Sequence, residues 1–447
     1  MSATASSGDA TPADRRVVVT GLGVISSIGV GAAEFLSGLR AGRNGAKPIT
    51  GFPTDGYEHS VACEVVGVDP ARWISRLDPA ELGRATQFAV AAARMAVDDA
   101  GLGTNSDASP DAGLGTNSDA SPDAGPASPD GPVSGDLRDR HGLISIGTTN
   151  GETRELDRLV EQEVTAGPDS RDRTIVRRVN AGRLSAAVAR ELGLTDVEAA
   201  TIPTACAAGN YAIGNAFDAI RAGEASFALC GGADALCRKT IAGFYRLGAM
   251  APERCQPFDK DRRGMLAGEG AGVLLLEDLA SARARGARIY AEITGFGLNC
   301  DADHPVAPNQ DSVARCMELA LRDAGLTPDQ VDFVSAHGTA TRANDVVEAR
   351  AVRQVYGEKP PRTVSVKSML GHALGAASAL AAIACALAIT DRFIPPTINH
   401  VETDPECEID CVPNAAIEAE PRVVQNNALA FGGNNAVLIL SRFEEYA

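Results

Sequence analysis

The chain has 447 residues, room for a large core or for two or three domains, and its 45% apolar and 22% charged residues are those of a soluble globular protein. A formal net charge of −17 argues against a nucleic-acid binder, which needs a strong basic footprint. Ten cysteines are scattered with no Cys-x-x-Cys pair, and Cys407 and Cys411 have no His or second Cys pair nearby. Reduced thiols in a cytoplasmic protein are therefore expected, with no metal site.

Residues 1–15 read as a disordered start, polar and without the basic-then-apolar pattern of a signal peptide. Arg16–Ser26 is a buried strand running into a Gly turn, followed by a helix near Gly31–Gly42 and a second over Leu82–Ala100. Ala100–Asp111 is then repeated letter for letter as Ala112–Asp123. The tract 101–136, rich in Gly, Pro, Ser and Asp, reads as a mobile surface loop carrying a tandem duplication. A strand at His141–Gly147 restores order, and helix continues to Leu192. A strand over Glu198–Pro203 turns through small residues into a helix from about Ala207 to Arg221.

That corner, Thr-Ala-Cys-Ala-Ala-Gly, carries Cys206 near the positive end of a helix dipole, where a lowered thiol pKa is expected. Strands at Ser226–Cys230 and Gly272–Glu277 close a first half, 16–280. A second half, 281–447, has strands at Ile289–Phe296, Val331–Ala336, Thr363–Val366, Ala428–Ala430 and Ala436–Ser441 with helices between. Ala373–Ile389 is apolar enough to suggest a membrane span but reads as a buried core helix. His337, in Ala-His-Gly-Thr-Ala-Thr, and His372, in Lys-Ser-Met-Leu-Gly-His, sit in Gly-bounded turns. The His372 corner looks like the counterpart of the Cys206 corner, so a duplicated α/β fold with its site at the seam is expected. Lysine is scarce, which singles out Lys367, and Asp345 and Glu348 follow His337 closely. The turn Phe431-Gly-Gly-Asn-Asn is either a plain hairpin or a source of a backbone N–H for an oxyanion.

Six motifs in this order resemble the β-ketoacyl-acyl carrier protein synthases of the thiolase superfamily, from Arg16 to Phe443 apart from the repeat. They are Val-Thr-Gly-Leu-Gly-Val (19–24), Thr-Ala-Cys-Ala-Ala-Gly (204–209), Pro-Phe-Asp-Lys-Asp-Arg-Arg-Gly (257–264) with Gly-Glu-Gly-Ala-Gly (268–272), His-Gly-Thr-Ala-Thr (337–341), Lys-Ser-Met-Leu-Gly-His (367–372) and Phe-Gly-Gly-Asn-Asn (431–435). The resemblance implies a thiolase-like α/β fold of two βαβαβαββ-type halves, layered α-β-α-β-α. It also implies a decarboxylative Claisen condensation. Cys206 would take an acyl group from the phosphopantetheine arm of an acyl carrier protein, with no cofactor bound permanently. The N–H groups of Cys206 and Phe431 would hold the oxyanion, and His337 and His372 would bond the malonyl thioester oxygen. Lys367, paired with Glu348, would support the site. Thr339 and Thr341 would bond the pantetheine, Phe431 would act as a gate, and Asn150 would stand in the acyl pocket.

Arg342-Ala-Asn-Asp345, where fatty-acid enzymes usually read Pro-x-Gly-Asp, resembles the ketosynthase subunit of type II polyketide systems. Such a subunit pairs with a homologous chain-length factor that lacks the cysteine. A homodimeric fatty-acid elongating synthase is the alternative. A thiolase, which uses a second cysteine as base, and a non-catalytic chain-length-factor-like carrier binder fit less well. The acidic carrier needs a basic dock, expected at Arg72, Arg76 and Arg84.

Overall fold

The computed structural model describes residues 15–102 and 135–445; residues 1–14 and 103–134, on which the expected disordered start and mobile repeat loop fall, lie outside them. Ten strands carry the architecture: β1 (Val17–Ser26), β2 (Gly142–Gly147), β3 (Val197–Ile202), β4 (Phe227–Asp234), β5 (Gly270–Asp278), β6 (Ala291–Cys300), β7 (Phe333–Ser335), β8 (Arg362–Val364), β9 (Val423–Leu429) and β10 (Asn434–Ser441). Their spatial order is β3-β2-β4-β5-β1-β6-β10-β9-β7-β8, with a short strand, Gly29–Val30, added on β1. Adding five to each strand number in the first half gives the order of the second. The sense repeats as well. In each half the first strand pairs antiparallel with the fifth, the fifth antiparallel with the fourth, and the next two pairings are parallel. The halves join where Val17–Val19 pairs with Ala291–Ile293. The chain is a duplicated α/β unit, as the sequence implied.

The helices used below are α1 (Gly31–Arg40), α2 (Arg84–Asp99), α3 (Thr153–Ala166), α4 (Arg183–Leu192), α5 (Ala208–Ala222), α6 (Arg238–Arg246), α7 (Gln310–Asp323), α8 (Arg342–Tyr356) and α9 (Ala377–Asp391). Helices α5 and α9 touch each other and strands of both halves, and so form the central layer; α2 lies outside on β1, β4 and β5, and α7 outside on β6 and β10. Helix α9 is apolar on every face because every face is covered. All but its last two residues are buried, which answers the membrane-like run at Ala373–Ile389. Close packing explains the glycines of the first motif. A Cβ on Gly23 would stand 1.8 Å from Ala92 O, and one on Gly21 2.1 Å from Ala96 O, so α2 could not seat on β1.

Strand β9 begins at Val423, five residues before the Ala428 expected from sequence. Gln425, Asn426 and Asn427 disguise it. They are buried, and Asn426 ties the halves together. Asn426 Nδ2 donates to Asn210 Oδ1 (2.9 Å) and to Ser378 O (3.0 Å), while Asn210 Nδ2 donates to Asn426 O (3.0 Å) and Ala436 O (3.1 Å). These bonds repay most of the polar groups lost to water, and among the described residues Asn426 Oδ1 is left without a partner.

Candidate active site

Edge strand β3 leads through Pro203 and Thr204 to a 3₁₀ turn, Ala205–Ala207, that opens α5. Ala205 holds φ +49, a left-handed conformation that a residue with a Cβ adopts at a cost of about 1–3 kcal/mol. That strain aims Cys206 into the molecule at the start of α5, with the sulfur reached from a cavity. The second half repeats the device. The 3₁₀ turn Leu374–Ala376 opens α9, and Leu374 holds φ +55. In this register the counterpart of Cys206 is Gly375. The two corners are counterparts, as the sequence suggested, with His372 standing two residues ahead of its turn.

The expectation of a lowered thiol pKa is overturned. Burial pushes the Cys206 thiol up to about 12; Lys367 pulls it down, Asp234 pushes it up, and the N–H groups of Phe431 and of Cys206 itself favour the thiolate less strongly. Removing the sulfur from water outweighs the Lys367 charge and the two N–H groups together. The sulfur therefore rests as a thiol and must lose its proton as it attacks. The two N–H groups that bear on it are the pair expected to form an oxyanion hole.

His337 and His372 meet edge to face, their ring centroids 5.4 Å apart and their planes at 83°. Both are held well below the ordinary histidine pKa, first by burial and then by the charge of Lys367. Both imidazoles are neutral near pH 7, and both have their tautomer set. Leu374 N–H donates to His372 Nδ1 at 3.1 Å, and the Lys367 ammonium lies 3.5 Å from His337 Nδ1. In each ring Nε2 carries the proton and can donate it in a hydrogen bond.

Lys367 Nζ also donates to His337 O at 2.5 Å. Among the described residues it makes no ion pair with Glu348, contrary to the expected pairing. Glu348 instead accepts from the backbone N–H groups of His337 (2.7 Å) and Gly338 (2.8 Å), and from Asn427 Nδ2 (3.1 Å). The carboxylate caps the turn that carries His337 and influences Lys367 only through space. Asp345 acts beside it, accepting from Thr339 N (3.0 Å), Ala340 N (3.2 Å) and Phe258 N (2.8 Å).

Cys206, His337, His372, Thr339, Thr341 and Phe431 line one cavity of about 280 Å³, with Phe244, Met265, Arg342 and Asn344 also in its wall. Thr339 and Thr341 bond each other through their hydroxyls at 2.8 Å. The Phe431 ring, 38% exposed, leans on Phe244 with centroids 5.7 Å apart. Nothing in the sequence around Phe244 signals that contact. Asn150 is not in that wall. Its amide donates to Thr240 Oγ1 (2.7 Å) and accepts from Lys239 Nζ (3.4 Å).

The expected dock breaks up. Arg84 is mostly buried and forks onto Glu269, its Nη2 2.6 Å from Oε1, with Val65 O as a further acceptor. It is an internal ion pair and cannot meet a carrier. Arg72 and Arg76 are exposed, Arg72 lying over the Trp73 ring. Neither lines the cavity. Among the described residues no group of three His, Cys, Asp or Glu side chains is placed to hold a metal ion.

Residues 14–282 match the family model for the N-terminal domain of β-ketoacyl synthases and residues 290–401 the model for the C-terminal domain. The chain belongs to the β-ketoacyl synthase family. It is an acyltransferase-type condensing enzyme. A 3-oxoacyl-[acyl-carrier-protein] synthase 2 of Synechocystis is 35% identical over 96% of this chain and 99% of its own, and one of Coxiella burnetii is likewise 35% identical with the same coverage. Among solved structures, "The ishigamide ketosynthase/chain length factor" superposes with a TM-score of 0.88 at 56% identity, covering 96% of this chain and 100% of that one. A type II polyketide synthase ketosynthase in complex with its acyl-carrier protein and bound to a hexaketide gives 0.81 at 30% identity, with the same coverage.

Proposed function

We propose that this β-ketoacyl synthase is the ketosynthase of a cytoplasmic type II polyketide system and that it works beside a homologous chain-length factor. One observation carries the choice: identity is 56% to the ketosynthase/chain length factor structure and 35% to the fatty-acid synthase relatives, over the same share of the chain. Arg342 and Asn344 at the cavity wall support the same reading. So does the edge beside the nucleophile. Among the described residues strand β3 has one free edge, the hydroxyls of Thr149 and Thr204 are buried without partners, and α3 exposes Leu156, Val160 and Val164 at four-residue spacing. A partner subunit laid along that edge would complete the acyl chamber.

The reaction proceeds in two stages. In the first, the Cys206 sulfur attacks the acyl thioester on the carrier's phosphopantetheine arm. The N–H groups of Cys206 and Phe431 hold the oxyanion, the C–S bond to the arm breaks, and the arm leaves as a thiol. In the second, the arm of malonyl carrier protein enters past Phe431 and lies against Thr339 and Thr341. Nε2–H of His337 and of His372 hydrogen-bond the malonyl thioester oxygen. The bond to the carboxylate breaks, carbon dioxide leaves, and the enolate carbon attacks the acyl-cysteine carbonyl, expelling the Cys206 thiolate, which takes a proton from water to return to the thiol. Decarboxylation supplies the carbanion, so two neutral donors serve and no strong base is needed. No resident cofactor takes part.

Co-expression with a cysteine-lacking homologue tests the proposal. A stable heterodimer that extends malonyl units, while the chain alone does not, is the expected result. A homodimer that elongates ordinary saturated acyl chains would establish the fatty-acid alternative instead. The intact Cys206, His337 and His372 speak against a purely non-catalytic carrier binder.

A further inference from the structure

Asp234 ends β4 fully buried and meets no cation within ion-pair distance among the described residues. Four donors surround it. Oδ1 accepts from Thr148 Oγ1 (2.9 Å) and Asn150 N (2.9 Å), and Oδ2 accepts from Thr149 N (2.7 Å) and Gly375 N (2.7 Å). Three of these donors belong to the first half, in the loop after β2. The fourth belongs to the second half, in the turn that follows His372. The neighbouring amide of that turn, Leu374 N–H, is the donor that sets His372 Nδ1. The contact is too tight for slack. A Cβ on Gly375 would stand 2.6 Å from Thr148 Cα, and one on Gly232 2.4 Å from Gly375 O.

We infer that Asp234 is a positioning residue for the condensation stage: through the Leu374–Gly375 turn it holds His372 in register with Cys206 across the seam of the two halves. Among the described residues the carboxylate is the one group that bonds both the first-half loop at 148–150 and the second-half turn. Three of the four partners are backbone N–H groups, which can only donate. A carboxamide keeps one oxygen, and in either orientation its NH₂ meets an N–H group, Asn150 N on one side or Thr149 N and Gly375 N on the other, so one side of the bridge is lost. The effect is selective by geometry. Acyl transfer to Cys206 uses the sulfur and two backbone N–H groups, whereas decarboxylation uses the imidazole that the turn orients.

The inference rests on the two-stage reading above, which is tested separately. Cys206→Ala should abolish both acylation and condensation, and His372→Ala should abolish decarboxylation alone. Asp234→Asn is then measured in the full-length protein by two assays, self-acylation by a hexanoyl thioester read by intact mass, and carbon dioxide release from a malonyl thioester. Decarboxylation should fall about 10- to 100-fold, the scale for misplacing a reacting group by an ångström or less. Acylation should fall less than about threefold, and its pH profile should move to lower pH because a negative charge near the sulfur is gone. Asp234→Glu, which keeps both oxygens one methylene further out, should show the same split to a smaller degree. It is read by the same criterion if Asp234→Asn does not fold. Equal losses in the two assays, or an unmoved acylation profile in a folded variant, would overturn the inference.

Discussion

Lys367→Met is the sharpest test of how the site is held. The ammonium is buried, donates to His337 O at 2.5 Å and sits 3.5 Å from His337 Nδ1. Methionine keeps the length and apolar stem and removes the charge and the donors. A hydrogen bond from a charged donor is worth about 1.5–3 kcal/mol, so if it is fully expressed in the transition state decarboxylation should fall about 10- to 100-fold. The charge makes a second prediction with a definite sign. Lys367 helps to hold the pKa of both histidines down and pulls that of the thiol down. Without it both histidines titrate higher, so the acid limb of the decarboxylation profile moves to higher pH. The thiol also titrates higher, so acylation at a given neutral pH slows. The assay is the rate of carbon dioxide release and of Cys206 acylation across pH 5–9. A uniform loss at every pH, with neither limb displaced, would falsify the electrostatic part. Full activity in a folded Lys367→Met protein would remove the lysine from the mechanism altogether.

Other outcomes follow from the same contacts. Arg84→Ala should destabilise the fold by about 3–5 kcal/mol in a denaturant melt, because it strands the buried Glu269 carboxylate, and should not selectively weaken carrier-protein turnover. Asn210→Ala leaves Asn426 Nδ2 short of one acceptor and Asn426 O and Ala436 O without their Asn210 donor. It should cost at least about 3 kcal/mol by the same melt, at about 1–3 kcal/mol for each buried group deprived. Glu152 is buried and its pKa is pushed up to about 7, by burial against hydrogen bonds from Thr86. The folded state then holds a proton that the unfolded state has lost, so stability should decline as pH rises from about 4.5 to about 7 and level off above. Glu152→Gln should flatten that slope, seen in melting temperatures across pH 4–8.

The chemistry-bearing residues were legible in the sequence because their neighbours are small. Gly and Ala around Cys206, His337 and His372 mark backbone turns where a reactive side chain has room, and such turns are local features. Alternating strands and helices likewise announced the α/β class, and the apolar run at Ala373–Ile389 announced a buried helix. What the sequence misjudged depends on burial and on distant partners. Strand β9 was shortened because Gln425, Asn426 and Asn427 look like loop until Asn210, Ser378 and Glu348 arrive from elsewhere to bond them. Arg84 looked solvated until Glu269, 185 residues away, closed on it.

By itself the sequence determined which side chains could react and which segments would be helix or strand, since spacing and turn chemistry act over a few residues. Only the tertiary structure decided their state. It buried the sulfur so that the thiol keeps its proton, turned Glu348 onto backbone N–H groups and away from Lys367, and brought a second-half amide onto Asp234. Each of these follows from desolvation and from groups that meet only when distant segments pack together, and neither is written in the order of the residues.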